Sequence, residues 1–234
     1  MQQLKTGILY TAIGRYSNVV LSIVISAVLS RILSPDNYGV VAILQIFIFF
    51  FALLVDAGLG PAIIQNKTLT QEDTKILFNY SIIFAIFLSV LFGFAGRFIS
   101  VFYQNPVFIT LAWVQSLSVL FNGLNVVPTA ILNKNKRFKE ISLNSVISNI
   151  AGGIVGISLA FLGARYYALI ASAITVSFIG FVLNRHRANI SISKSMNLTP
   201  LKQVWNFARN QLGFNFINYF SRNSDNILIG RYMG

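Results

Sequence analysis

The chain has 234 residues, 55% of them hydrophobic and only 10% charged, with a net charge of +12. A soluble domain carries roughly 25% charged residues, so this composition excludes a water-covered globular surface and makes lipid the natural solvent. Excess positive charge would point to nucleic acid in a soluble protein, but no polar domain is available to hold it. Cysteine is absent, which excludes a disulfide framework, a thiolate metal site and thiol catalysis. No cofactor and no metal centre are expected.

About 20 mostly apolar residues cross about 30 Å of hydrocarbon as an α-helix at about 1.5 Å per residue. The first apolar run, Ile8 to Leu33, is too long for the apolar core of a cleavable signal peptide. It holds span one, Tyr10 to Ile32. The turn cluster Ser34-Pro35-Asp36-Asn37 leads to span two, Val40 to Ile64, and the polar loop Asn66 to Lys75 follows. Within that loop Thr70-Gln71-Glu72-Asp73 reads as a helix cap before span three, Ile76 to Gly96. Asn105-Pro106 opens span four, Val107 to Leu132, and the basic loop NKNKRFKE covers Asn133 to Glu140. Span five is Leu143 to Gly163 and span six is Tyr166 to Asn184. A more polar seventh run, Val204 to Gly230, ends near the last residue. The expected fold is an all-α polytopic membrane protein with a six-helix bundle at 1–184, a cytoplasmic linker at 185–203, and a seventh helix at 204–234 that begins a second, truncated lobe.

Lysine and arginine set orientation, because cytoplasmic loops carry them in excess. Lys5, Lys67, Lys75, Lys134, Lys136, Arg137, Lys139, Arg185, Arg187, Lys194 and Lys202 fall on one side; Arg31, Arg97 and Arg165 fall on the other. Eleven against three predicts a cytoplasmic N-terminus. His186, between Arg185 and Arg187, reads as a solvated loop residue.

Polar residues within spans must face a bundle interior or a wet cavity. Arg15 in span one either snorkels to the headgroups or lines a cavity. Asp56 stands in VDAGLGP, where two glycines and a proline weaken the helix; capping the broken helix or pairing with an arginine is favoured over proton or ion coupling. In the seventh run, Gln211, Asn215, Asn218 and Arg222 share one stripe at helical spacing, which predicts a water-filled lumen or a partner bundle opposite it, the alternative being an interfacial helix. Arg222 and Asp225, three apart, are placed to pair. Gly152, Gly153 and Gly156 predict close helix packing, and Asn122, Gly123 and Pro128 predict a bend, with cavity lining as the alternative.

Four stretches carry a family resemblance. RILSPDNYG at Arg31 to Gly39 resembles the R-x-L-x-P-x-x-Y-G signature after the first helix of polysaccharide exporters, which belong to the multidrug/oligosaccharidyl-lipid/polysaccharide flippase superfamily. Asp56 to Gln65 resembles that family's D-x-G-x-x-x-A-x-x-Q stretch, Phe138-Lys139 its F-K pair, and Asp225 to Arg231 its D-x-x-x-I-G-R ending of helix seven. The resemblance implies two lobes around a central cavity, alternating access, and transport of undecaprenyl-pyrophosphate-linked oligosaccharide across the bacterial inner membrane. The chain would supply the first lobe and the opening helix of the second. Membrane lipids and other polysaccharide-assembly components are the other expected partners.

An anionic pyrophosphate suits the planar guanidinium fork, so Arg15, Arg209 and Arg222 are the expected cationic lining, with Asp56 and Asp225 coupling ions or serving structure. A drug or cation antiporter of the same superfamily needs more acidic residues in the membrane than these two. A membrane-embedded glycosyltransferase or polymerase needs acidic residues at the outer mouth, where only Asp36 stands. An inactive fragment that associates with other components completes the alternatives; no catalytic residue is expected.

Overall fold

The apolar runs fold as helices because hydrocarbon offers the backbone no hydrogen-bond partner, so every span must satisfy its own amides. The computed structural model describes the backbone of residues 2–232 and the side chains of residues 7, 9–215, 217, 218 and 221. The helices are α1 (Gln2–Ile32), α2 (Pro35–Asp56), α3 (Leu59–Gln65), α4 (Gln71–Tyr103), α5 (Val107–Lys134), α6 (Phe138–Phe161), α7 (Tyr166–Ala188) and α8 (Thr199–Tyr232). Six spans are long and apolar enough to cross a membrane, with α2 and α3 together making one of them. The protein is an all-α, multi-pass membrane protein.

The expected caps form. Thr70 Oγ1 accepts from the Asp73 amide at 3.1 Å while Asp73 Oδ2 accepts from the Thr70 amide at 2.9 Å, a reciprocal pair that starts α4. Asn105 Oδ1 takes the Val107 amide at 3.0 Å at the start of α5. Span two breaks where its glycines predict, since Ala57 and Gly58 both adopt left-handed backbone, φ 43° and 72°. Pro128 sits inside α5 without ending it. The connector between α7 and α8 is shorter than the polar composition suggests, because α7 continues through Ala188. Arg185, His186 and Arg187 occupy its last turn, where cations complement the helix dipole rather than terminate the helix.

The helices pack in the order α1 on α6, α6 on α7, α7 on α5 and α5 on α4, with α2 and α3 laid against α5 and with α8 against α2, α3 and α4. Leu44, Phe51, Phe92, Phe108 and Leu111 form the central apolar cluster, in which the Phe51 and Phe92 rings meet edge to face at 5.0 Å. Phe98, Val101 and Ile154 are exposed, as lipid-facing side chains are. Helix approach depends on small residues, since lipid supplies no hydrophobic drive between helices. A Cβ on Gly152 would stand 2.4 Å from Val176 Cγ2, and one on Gly153 2.4 Å from Ile25 Cδ1.

Alternating helix directions gather the polar loops at two ends. At one end Lys134 Nζ donates to the Asn66 carbonyl at 2.8 Å, and Arg137 and Arg187 converge on Glu140. Lys139 Nζ lies 5.3 Å from the Tyr10 ring centre at the same end. This basic end holds the loops with the eleven-to-three excess.

Gly152→Val is expected to lower the thermal unfolding midpoint in detergent, at an overpacking cost of about 1–3 kcal/mol. Gly39→Ala, where a Cβ meets nothing within 4 Å, is expected to leave the midpoint unchanged. Equal midpoints for the two variants would contradict the tight α6–α7 contact.

Candidate functional site

Three sets of polar side chains occupy membrane depth. The first is a stripe on α5: Asn122, Asn125, Thr129 and Asn133, spaced three or four apart and therefore on one helix face. Together with Asp56, Gly60 and Pro61 it lines a groove of about 310 Å³. Asn133 lies beside the basic end. Asn122 lies eleven residues deeper, about 16 Å at about 1.5 Å per residue. Asp56 stands ten residues before Asn66, about 15 Å from the same end. The groove therefore descends from the basic end to about the middle of about 30 Å of hydrocarbon, where the α2–α3 break sits.

Asp56 closes that break. Its Oδ1 accepts from the Gly60 amide at 3.4 Å, near the exposed amides that begin α3. Among the described residues the ion pairs join Lys75 to Glu72, and Arg137 and Arg187 to Glu140; Asp56 has no arginine partner there. Of the roles considered for Asp56, helix capping is the one with a hydrogen bond behind it.

The second set lies between α1 and α6. Thr11, Arg15, Asn18 and Ser22 follow helical spacing along α1. Asn18 Nδ2 donates to Ser145 Oγ at 2.9 Å, and Asn149 Nδ2 donates to Asn18 Oδ1 at 2.9 Å. Gly14, Arg15, Asn18, Ser22, Ser142, Ser145 and Asn149 border a cavity of about 390 Å³. Arg15 is exposed. It stands five residues beyond Tyr10, about 8 Å below the Lys139–Tyr10 contact. Its guanidinium is thus near the mouth at the basic end, within snorkelling reach of headgroups as well as of the cavity.

The third set lies in the core between α5, α6 and α7 and shares Asn125 and Thr129 with the α5 stripe. Asn184 Nδ2 on α7 donates to Asn125 Oδ1 at 3.0 Å and to Thr129 Oγ1 at 3.2 Å on α5. Asn144 Nδ2 on α6 donates to Asn184 Oδ1 at 2.8 Å, and Ser148 Oγ returns to the Asn144 carbonyl at 2.7 Å. Asn144 and Asn184 are buried, so each amide is matched by another, as buried polar groups require. The carboxamide oxygens accept and the amide nitrogens donate in a consistent direction across three helices.

Helix α8 docks on the break. A Cβ on Gly58 would lie 2.6 Å from the Ala208 carbonyl and 2.9 Å from Gln211 Cβ, so this left-handed position also has no room for a side chain. Val204 and Ala208 are buried against the first six spans. Gln211 Nε2 donates to Asn215 Oδ1 at 3.1 Å, and both are half-buried. Asn218 is exposed, and Arg209, two residues before Gln211, is exposed on the opposite face of α8 from that stripe. The side chains of Arg222 and Asp225 lie outside the described residues.

The expected charged residues are not gathered into one pocket among the described residues. Arg15 borders the α1–α6 cavity, Asp56 the α5 groove, and Arg209 neither. What the fold does gather is uncharged: asparagine, serine and threonine from α1, α5, α6 and α7. Single-residue scrutiny of the sequence passes over Asn18, Asn125, Thr129, Asn144 and Asn184, because one asparagine in a span is unremarkable. The signal available was periodicity, at positions 11, 15, 18 and 22 and at 122, 125, 129 and 133.

Asn184→Leu strands Asn144 Nδ2 and removes the α7 donor to Asn125 and Thr129, which keep only their bond to each other. It is expected to cost about 1–2 kcal/mol, the upper part of the range for interhelical hydrogen bonds in membranes, read as a lower midpoint in denaturing-detergent titration. Asn133→Leu, at the mouth, is expected to leave that midpoint in place. An unchanged midpoint for Asn184→Leu would contradict the network.

Comparison with known proteins bears on what such an arrangement serves. The family model described as polysaccharide biosynthesis protein matches residues 28–234, a range that contains all four sequence motifs. The chain is 24% identical over 235 aligned residues to the teichuronic acid biosynthesis protein TuaB of Bacillus subtilis, covering 100% of the chain and 49% of that relative. It is 24% identical over 212 residues to the succinoglycan biosynthesis transport protein ExoT of Rhizobium meliloti, covering 88% of the chain and 42% of the relative. An uncharacterized membrane protein in the cps region of Klebsiella pneumoniae is 35% identical over 81 residues. The chain thus spans about half the length of the curated relatives it matches. No solved structure gives a significant match. With its motifs in order, its six apolar spans and a family match from residue 28 to the last residue, this multi-pass membrane protein belongs to the polysaccharide biosynthesis family, the exporter family that its motifs resemble.

Proposed function

We propose that this chain is the first lobe, with the opening helix of the second, of a transporter that moves lipid-linked anionic oligosaccharide across the bacterial inner membrane by alternating access. The observation that carries the reading is the stripe of uncharged polar side chains on α5, Asn122, Asn125, Thr129 and Asn133, lining a groove that opens at the basic end and reaches the depth of the α2–α3 break. Amide and hydroxyl groups exchange hydrogen bonds with sugar hydroxyls as readily as with each other, so a glycan can pass where hydrocarbon cannot. A helix broken near the membrane midplane is a recurrent feature of transporter sites. The names of the relatives, one for teichuronic acid biosynthesis and one for succinoglycan transport, support a polysaccharide cargo and a transporter rather than an enzyme.

In this reading the N-terminus and the basic end are cytoplasmic, following the lysine and arginine excess. Arg15 meets the pyrophosphate at the cytoplasmic mouth, and Arg209 and Arg222 meet it from α8. Gln211, Asn215 and Asn218 continue the polar lining on the second-lobe side. Asp56 holds the broken helix in shape, and Asp225 tempers Arg222 or couples an ion. Capping by Asp56 weakens the antiporter alternative, which needs that carboxylate for a cation.

In the full-length protein, Arg15→Ala, Arg209→Ala and Arg222→Ala are each expected to reduce surface glycan at least about tenfold, the effect of losing a charge-assisted hydrogen bond of about 1.5–3 kcal/mol. Lipid-linked repeat units are expected to accumulate inside the cell, measured by extraction and chromatography. Asp56→Asn, which keeps an acceptor for the Gly60 amide, is expected to retain export, whereas Asp56→Leu is not. Normal export in all three arginine variants would defeat the assigned roles, and loss in Asp56→Asn equal to that in Asp56→Leu would move Asp56 from capping to ion coupling.

A further inference from the structure

An apolar groove of about 430 Å³ lies between α4 and α8, beside the α2–α3 break. Tyr80, Ser81, Phe84 and Phe87 of α4 face Leu201, Val204, Trp205 and Ala208 of α8 across it. Eight residues on each helix, 80–87 and 201–208, give it a length of about 10 Å along the helix axes. Ile83, Phe87 and Trp205 are exposed at its open side. At this depth the surrounding solvent is hydrocarbon, so an apolar cleft of this length takes a lipid chain rather than water.

Its mouth is built at the headgroup level. Asn79, one residue before Tyr80, pins the connector between α7 and α8: its Nδ2 donates to the Ser193 carbonyl at 2.9 Å, and its Oδ1 accepts from the Ser193 amide at 3.2 Å. Ser193 Oγ also donates to Glu72. The pinned connector exposes Ile192, Met196 and Leu198 beside the exposed Lys194, and Lys202 follows on α8. Exposed apolar side chains interleaved with lysines are the composition of a segment lying in the membrane interface. Lys202 and Trp205 are three apart and share a face of α8, so the cation stands above the groove that Trp205 lines. The acidic groups of α4 near this mouth are Glu72, held by Ser193 and Lys75, and Asp73, held by Thr70; neither neutralises Lys194 or Lys202.

We infer that this groove seats one acyl chain of an anionic phospholipid, whose headgroup is held by Lys194 and Lys202, and that the lipid ties α8 to the first six spans. The inference stands apart from the proposed cargo, because the groove shares only the neighbourhood of the α2–α3 break with the polar run.

The test uses the full-length protein in phosphatidylcholine nanodiscs with a trace of diazirine-tailed phosphatidylglycerol, and maps photo-crosslinks by mass spectrometry. Crosslinks are expected to concentrate in residues 80–87 and 201–208, and to fall at least about fivefold in Lys194→Ala/Lys202→Ala, the effect of removing basic residues near an anionic surface. The double variant changes exposed side chains only and leaves the packed groove intact. Ser81→Leu, which fills the groove from a buried position, is expected to remove the crosslinks and, with the lipid tie lost, to lower the unfolding midpoint. Equal labelling by diazirine-tailed phosphatidylcholine, labelling spread over lipid-facing positions such as Phe98 and Ile154, or labelling indifferent to both variants would overturn the inference. Displacement by unlabelled polyprenyl phosphate but not by unlabelled phosphatidylglycerol would overturn the phospholipid assignment in favour of an isoprenoid.

Discussion

A polar group inside hydrocarbon must find another polar group, because lipid offers neither donor nor acceptor. That constraint arranges this bundle. It makes the spans helical, and it turns Asn18 toward Ser145 and Asn149, and Asn184 toward Asn125, Thr129 and Asn144. It also aims the Asp56 carboxylate at the amides that begin α3. Apolar packing among Leu44, Phe51, Phe92 and Phe108 fills the space between helices, but in lipid such contacts hardly distinguish one helix rotation from another. The asparagine pairs do, since a rotated helix would leave carboxamides facing acyl chains.

The same arrangement separates structure from passage. Asn144, Ser148 and Asn184 are buried and mutually satisfied, which suits a scaffold. Asn122, Asn133 and Arg15 border open cavities, which suits contact with a hydrated cargo. The break between α2 and α3 sits where the two meet and carries α8 on its outer side through Gly58. Left-handed conformation and the close approach of Ala208 both restrict this position to glycine, so the break and the docking of α8 depend on the same residue.

Much of the fold was legible in the sequence because each of its signals is local. Twenty-residue hydropathy located the six spans, Gly58, Gly60 and Pro61 announced the broken helix, and Thr70 with Asp73 announced a cap. The glycines of α6 announced the close contacts with α7 and α1. The site was less legible because its residues matter in pairs from distant segments. Asn18 bonds to Ser145 across 127 positions and Asn184 to Asn125 across 59, and no local window contains both partners. Charge draws attention in a membrane sequence, so Arg15, Arg209, Arg222, Asp56 and Asp225 stood out while the uncharged stripe did not. Helical spacing of the polar positions on α1 and α5 was the available cue. The connector between α7 and α8 is shorter than its composition suggests for a related reason: two of its charges, Arg185 and Arg187, finish α7, and α8 begins at Thr199.

Water access to the α5 groove is the property on which the proposed passage of a glycan depends. The described sequence contains no cysteine, so single cysteines can be introduced at Asn122, at Asn133 and at the lipid-facing positions Phe98 and Ile154, then treated in native membranes with a water-soluble thiol reagent. Reaction at Asn122 and Asn133, with Phe98 and Ile154 silent, is the predicted pattern. Silence at Asn122 equal to that at Phe98 would mean that the groove is sealed by lipid or protein at mid-depth, and the transport reading would fail.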